Sequence, residues 1–219
     1  MTGDKKVTGD SEKLRCCGFE VSDERSFDEL CEKLAAEVRL NLYDYTIAVN
    51  GRPWEKTFGC VWEPIFNPRS GAAVAPVRSE GSWTLAEDGN FIWSRRFNQV
   101  WHQMFSPDGG KLAAVVSPKY GKWTMAVDGN PWPVTFKDLV TDAVFSPESS
   151  RVAALAKEGA RWFVAVDGKA WKNSFDMAWK PVFSPDGKHL ATGCTDNSVK
   201  IWDAETGTGF GTPTRKAVV

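Results

Sequence analysis

Residues 101–136 read WHQMFSPDGG KLAAVVSPKY GKWTMAVDGN PWPVTF, and this stretch decides the fold. It holds four short apolar runs: Trp101 to Phe105, Lys111 to Val116, Trp123 to Val127 and Trp132 to Phe136. Ser106-Pro107-Asp108-Gly109 between the first two suits a tight turn, because proline presets φ and glycine accepts a positive one. Asp128-Gly129 between the last two is the strongest short-range hairpin signal. Each run has the usual strand length of about five residues. Trp123, Met125 and Val127 alternate with the smaller Thr124 and Ala126, which is the period of a strand. The stretch therefore predicts four antiparallel strands, A to D.

Outward from it, the pattern recurs. Trp54, Trp93, Trp132 and Trp171 stand 39 residues apart, and Phe58, Phe97, Phe136 and Phe175 each follow four later. Trp62 and Trp101 share that spacing, Trp179 lies 78 beyond Trp101, and Val140 fills the place between. Trp83, Trp123 and Trp162 form a third column that Tyr45 opens. Turn signals keep the same period: Asn50-Gly51, Asp88-Gly89, Asp128-Gly129 and Asp167-Gly168. Four strands per unit of about 40 residues is the signature of a propeller blade. Blades stack face to face, which accounts for small residues such as Ala113-Ala114 and Ala153-Ala154 in strand B.

The expected architecture is all-β: a five-bladed β-propeller of four-stranded antiparallel blades over residues 13–208. The repeats span about 22–58, 61–97, 100–136, 140–175 and 178–203. The last lacks a Trp-x-x-x-Phe strand D, and residues 14–19 read as a lone strand D, with Phe19 in register with Phe58. An N-terminal strand completing the last blade would close the ring and remove sheet edges. Residues 1–12 and 209–219 read as tails, the first disordered. Ser26 to Leu40 carries a second pattern. Ser26-x-x-Glu29 fits a capping box, and Leu30, Leu34 and Val38 share a helical face. A helix there would leave four blades or an open ring.

Composition narrows the function. With 27 basic and 28 acidic residues among 219, there is no basic footprint for nucleic acid. Met1 to Lys13 has no apolar signal region, and no apolar run is long enough to span a membrane. Five cysteines, an odd count, point to reduced thiols in a cytoplasm. Metal and haem motifs are absent: there is no C-x-x-C, and Cys16-Cys17 on a strand would face opposite ways. Cys31, Cys60 and Cys194 read as core fillers. His102 and His189 fall at opposite ends of their blades, so they form no shared catalytic site. Asp88, Asp128 and Asp167 recur with the turns, as turn residues do and catalytic residues do not. Neither a nucleophile elbow nor a phosphate loop is present. The expectation is a protein without enzymatic activity and without a cofactor of its own.

Two tryptophan columns, one in strand C and one opening strand D, read as core between blades. The third, Trp62, Trp101 and Trp179, opens strand A just after loops that differ from blade to blade: Gly59-Cys60, Asn98-Gln99, Lys137-Asp138 and Asp176-Met177. Variable loops on a fixed scaffold are where binding concentrates, and tryptophan is enriched at interface hot spots. Trp62, Trp101 and Trp179, with His102, Asn98, Gln99, Asp176 and Met177, are the candidate partner-binding residues. The alternative is that these tryptophans plug a narrow channel.

The residues also resemble known families. Leu190-Ala-Thr-Gly-Cys-Thr-Asp-Asn-Ser-Val-Lys-Ile-Trp-Asp203 looks like a standard WD repeat. The other units, with Phe-Ser-Pro-Asp-Gly followed by Trp-x-x-Ala-Val-Asp-Gly-x-x-Trp, lack the Gly-His and Trp-Asp marks. Over residues 27–190 they are similar to TmcD, the tryptophan-rich, WD-like subunit of the Tmc transmembrane redox complex of sulfate-reducing bacteria. That resemblance implies a cytoplasmic accessory subunit, peripheral to the inner membrane through its partners, with haem and iron–sulfur centres in other subunits. The general expectation is a protein–protein interaction scaffold. A carbohydrate-binding, lectin-like propeller is the alternative, because exposed tryptophan faces can stack on sugars.

Overall fold

The computed structural model describes residues 33–194 and 198–210. Those from Ala35 onward belong to one compact unit, built of strands and turns. Five antiparallel sheets follow one another along the chain. The first comprises β1 (Ala35–Arg39), β2 (Tyr45–Val49) and β3 (Arg52–Pro53). The second has β4 (Cys60–Val61) and β5 (Ile65–Phe66), both on β6 (Ala73–Ser79), then β7 (Ser82–Glu87) and β8 (Asn90–Phe91). The third runs β9 (Gln99–Phe105), β10 (Leu112–Lys119), β11 (Lys122–Val127) and β12 (Asn130–Pro131). The fourth runs β13 (Leu139–Phe145), β14 (Val152–Glu158), β15 (Arg161–Val166) and β16 (Lys169–Phe175). The fifth runs β17 (Val182–Phe183), β18 (His189–Gly193), β19 (Val199–Asp203) and β20 (Gly209–Phe210). Five successive sheets of this kind fit propeller blades.

Consecutive sheets pack face to face. Ile47 and Trp54 of the first meet Val61, Ala75 and Val77 of the second. Trp93 and Phe97 of the second meet Leu112 and Val116 of the third. Trp132 and Phe136 of the third meet Val152 and Ala154 of the fourth. Trp171 and Phe175 of the fourth meet Leu190 and Trp202 of the fifth. Strand B is therefore covered on both faces, and Ala113, Ala114, Ala153 and Ala154 are fully buried. The strand D tryptophans serve as core, as their spacing predicts.

Each of these tryptophans also locks onto the next sheet. A Cβ on Gly168 would stand 3.4 Å from Cγ of Trp132, and one on Gly207 only 2.5 Å from Trp171. Both glycines have positive φ, at 81° and 68°, so glycine is required there twice over. The fifth sheet thus reproduces, with the longer turn Asp203 to Thr208, a contact that the others make with Asp-Gly.

Ala35–Arg39 is a strand paired with Tyr45–Val49, as the repeat register predicts in preference to the helical pattern; 26–32 lie outside the described residues. The structure corrects the sequence expectations in three places. The outer place of the fifth sheet belongs to Gly209–Phe210, expected as tail, which pair with Ile201 and Trp202. The proposed closing strand, 14–19, lies outside the described residues, as do the tails 1–12 and 211–219 and Cys16, Cys17 and Cys31.

Strand D starts earlier than predicted, directly after the hairpin turn. In three sheets it leaves the ladder at the tryptophan and returns only as a bridge at Phe58, Phe97 or Phe136. The reason is the residue opposite. Buried Thr46 and Thr84 donate their hydroxyls to the Trp54 and Trp93 carbonyls and to those of Lys56 and Arg95; Thr124 donates to that of Val134. The fourth sheet has Phe163 at that place, with no hydroxyl to give, and there Lys169–Phe175 stays one strand.

Finally, Val140 is equivalent to Val100, not Trp101. Val140 pairs with Ala156 as Val100 pairs with Val116, and Thr141 pairs with Leu155 as Trp101 pairs with Val115. The loop after Phe136 is one residue longer than the loop after Phe97, which moves the column by one.

Candidate functional site

Strand A is interrupted at the same place in every sheet where it is described. In the second sheet the break between β4 and β5 falls at Trp62, Glu63 and Pro64. In the third, the register of β9 slips at His102, and in the fourth that of β13 slips at Asp142. In the fifth, Trp179, Lys180 and Pro181 separate the bridge at Ala178 from β17. Two physical devices produce the break. Pro64 and Pro181 have no N–H for the ladder. His102 and Asp142 adopt left-handed backbone, at φ 48° and 51°, where a side chain is uncommon. Bulges of this kind re-aim side chains and cluster near functional sites.

The residues at the break vary in chemistry: the acids Glu63 and Asp142, the imidazole of His102 and the amine of Lys180. The residue just before the break loop is the reverse. Val61, Val100, Val140 and Ala178 are all buried and apolar. The scaffold is thus repeated up to the break, and the chemistry varies at it.

Two clefts open along this row. One, of about 310 Å³, is lined by Trp62, Glu63, Ile65, Trp101, His102 and Gln103. The next, of about 290 Å³, includes His102, Thr141, Asp142 and Lys180. Gln103 ties the first cleft together by donating from Nε2 to the Glu63 carbonyl at 2.6 Å, across the boundary between sheets.

Trp62 and Trp101 belong to a run of four indoles. Trp83 lies 4.7 Å from Trp62, Trp62 lies 6.1 Å from Trp101 with planes 9° apart, and Trp101 lies 4.6 Å from Trp123. Strands A and C of two sheets are joined in one aromatic body. Trp62 and Trp101 are half-buried, leaving part of their surface on the cleft. The indole N–H of Trp101 is buried without an acceptor among the described residues.

The other candidate residues fall out differently. Trp179 is half exposed and lies over Gly193, and no ring contact joins it to Trp62 and Trp101. Asn98 is exposed and its backbone N–H donates to the Ser117 carbonyl at 2.8 Å. Gln99 is half-buried within β9, with its side-chain oxygen unpartnered. Asp176 is ion-paired with Arg161, and Met177 is exposed. The structure brings together Trp62, Trp101 and His102 and leaves Trp179, Asp176 and Met177 on a different sheet. Glu63, Gln103, Asp142 and Lys180 were missed by the sequence reading. Glu63 follows Trp62, Lys180 follows Trp179 and Asp142 follows Thr141, the true fourth member of the column, and the register of strand A is what singles them out.

Elsewhere the polar residues have structural work. Asp128 accepts the Leu112 N–H and Asp167 the Val152 N–H, each at 2.9 Å, pinning strand B to the C–D turn. Asp108 is held down to about 2, first by the Ser106 hydroxyl at 2.6 Å, then by the Gly110 N–H and Ser149. Asp186 is lowered by Ser184 in the same way. His189 packs edge-on against Phe210, away from His102 on the third sheet. Among the described residues no three His, Cys, Asp or Glu side chains gather as a metal ion would require, and no helix is long and apolar enough to cross a membrane.

Comparison with known proteins agrees with this geometry. The WD domain, G-beta repeat, matches residues 173–203. The match begins near the end of strand D of the fourth sheet and ends with strand C of the fifth, so the sequence repeat straddles two sheets. Among solved structures, a chain described as the crystal structure of the eukaryotic initiation factor is similar, with a TM-score of 0.54 at 16% identity. The similarity covers 82% of this chain and 51% of that one, so this chain spans about half its length. At that identity the likeness is one of fold, and fold alone assigns no partner. No curated protein matches the sequence. Residues 173–203 thus match a WD repeat within a series of propeller-like sheets.

Proposed function

We propose that this protein is a non-enzymatic scaffold that holds a partner protein at the broken strand A edge of its sheets. One observation carries the reading: strand A is interrupted at the same place in four sheets yet presents Glu63, His102, Asp142 and Lys180 there, beside the half-buried Trp62–Trp101 pair. A rigid scaffold with a variable, aromatic-centred rim is what a protein interface needs. Asp128 and Asp167 are used by turns, and the two histidines sit on separate sheets. The fold is completed in this reading as five blades. The narrower identity of the partner, a membrane-bound electron-transfer complex, rests on the resemblance of residues 27–190 to the tryptophan-rich redox subunit.

The test is affinity capture with the tagged full chain from a detergent-solubilised lysate of its native host, compared with Trp62→Ala and Trp101→Ala. Each variant must first show a native melt. Partners captured by the native chain and lost by both folded variants support the scaffold. Recovery of haem or iron–sulfur subunits among them supports the narrower identity. Undiminished capture by both variants would remove the strand A edge as the interface.

A further inference from the structure

Several aromatic rings of the chain carry one of its own cations. Lys56 and Arg96 lie 3.8 and 4.0 Å from the Phe91 ring, Arg39 lies over Tyr45, Lys157 over Trp162 and Lys200 over Phe175. Among the described residues no cation lies over the Trp62 or Trp101 ring, and this pair lines a cleft with the Glu63 carboxylate. The adjoining cleft carries both signs, Asp142 with Lys180. The Trp62–Trp101 cleft carries Glu63 alone, with uncharged Gln103 and with His102.

A second carboxylate stands close by. Glu37, on the strand β1, is raised above the ordinary glutamate range by burial first and then by the charge of Glu63. No described cation forms an ion pair with either side chain. The Glu63 carboxylate beside the indole pair, with Glu37 repelling it from β1, makes the cleft negative.

Resting on the scaffold reading above, we propose that the Trp62–Trp101 cleft receives an arginine side chain of the partner protein. Its guanidinium stacks on the indole pair and donates to the Glu63 carboxylate, and Glu37 adds its charge through Glu63. Arginine suits the slot better than lysine. The guanidinium is planar, stacks on aromatic faces and presents a fork of donors that matches a carboxylate, whereas an ammonium is a strongly hydrated point charge. The near-parallel planes of Trp62 and Trp101 offer one orientation for such a plate. The cleft is large enough for a single long side chain and too small for a folded element.

The experiment is a titration of the full chain with a glycine–serine nonapeptide carrying one central arginine, read by tryptophan fluorescence and calorimetry. A peptide with citrulline, which keeps the shape and loses the charge, is the comparison. The arginine peptide is expected to bind saturably, the citrulline peptide about tenfold more weakly, since a charge-assisted hydrogen bond is lost. Glu63→Gln, with an unchanged melt, is expected to lower arginine affinity about tenfold and leave citrulline binding unchanged. Equal binding of the two peptides, no binding of either, or an unchanged affinity in folded Glu63→Gln would overturn the proposal. Such an outcome beside Trp62- and Trp101-dependent capture from the lysate would leave the scaffold standing with a partner of other chemistry.

Discussion

The two ends of strand A's sheet are built to opposite rules. At the C–D hairpins, Asp88, Asp128 and Asp167 take the same left-handed conformation, at φ 45°, 49° and 47°, and are followed by a glycine fitted against the previous sheet's tryptophan. Asp128 and Asp167 each accept a strand B N–H there. At the strand A break, the same place in four sheets carries an acid, an imidazole, an acid and a base. Where chemistry repeats with the architecture, it serves the architecture. Where the architecture repeats and the chemistry does not, the side chains are free to serve something else.

The comparison can be broken most forcefully at the tryptophans of the repeat. Trp132→Ala is expected to destabilise by about 3–5 kcal/mol, through cavity formation between the third and fourth sheets. Chemical denaturation measures it; a loss below about 1 kcal/mol would show that the strand D column is not core. Gly168→Ala comes next, at about 1–3 kcal/mol. It forces a side chain into positive φ and within 3.0 Å of Pro133 Cδ. Asp142→Asn, in the same backbone region but at the strand A break, should stay within about 0.5 kcal/mol of the native chain, since asparagine tolerates left-handed backbone. If the two melt alike, the distinction between hairpin and break fails.

Acid sharpens it further. Asp108, held down to about 2, and Asp186, Asp203 and Glu148, all lowered, each contribute stability that is full above their unfolded values near 4. That contribution fades as the pH falls through their folded values. A melting temperature that drops between about pH 4 and pH 2, and drops less in Ser106→Ala, is the expected result. Glu37 has the opposite sign. Its folded value is raised, so its charge opposes folding at neutral pH. Glu37→Gln should raise the melting temperature by about 1–2 °C at pH 7, an advantage that shrinks as acid protonates the native glutamate.

Much of the fold was legible because its signals are local and repeated. The 39-residue spacing of Trp54, Trp93, Trp132 and Trp171, with Asp-Gly turns in step, marks strands and sheet boundaries directly. The misreadings arose where a contact across space decided the outcome. Thr124 takes a strand D carbonyl and opens the ladder, an effect that shows only when Phe163 stands in its place. Gly209–Phe210 carry no strand pattern, and pair because Ile201 and Trp202 present a free edge. One extra residue in the loop after Phe136 hid Thr141 behind Val140. The site was half legible: Trp62, Trp101 and His102 followed from the column. Glu63, Asp142 and Lys180 did not, because nothing in composition announces a bulge until the register of β9 and β13 is known.

The most direct test of the strand A edge is hydrogen–deuterium exchange on the full chain, alone and bound to the captured partner. The account predicts new protection over residues 61–65, 99–104 and 141–143, with the hairpins at 88–89, 128–129 and 167–168 unchanged. Protection centred on those hairpins, with the strand A segments unaffected, would contradict it.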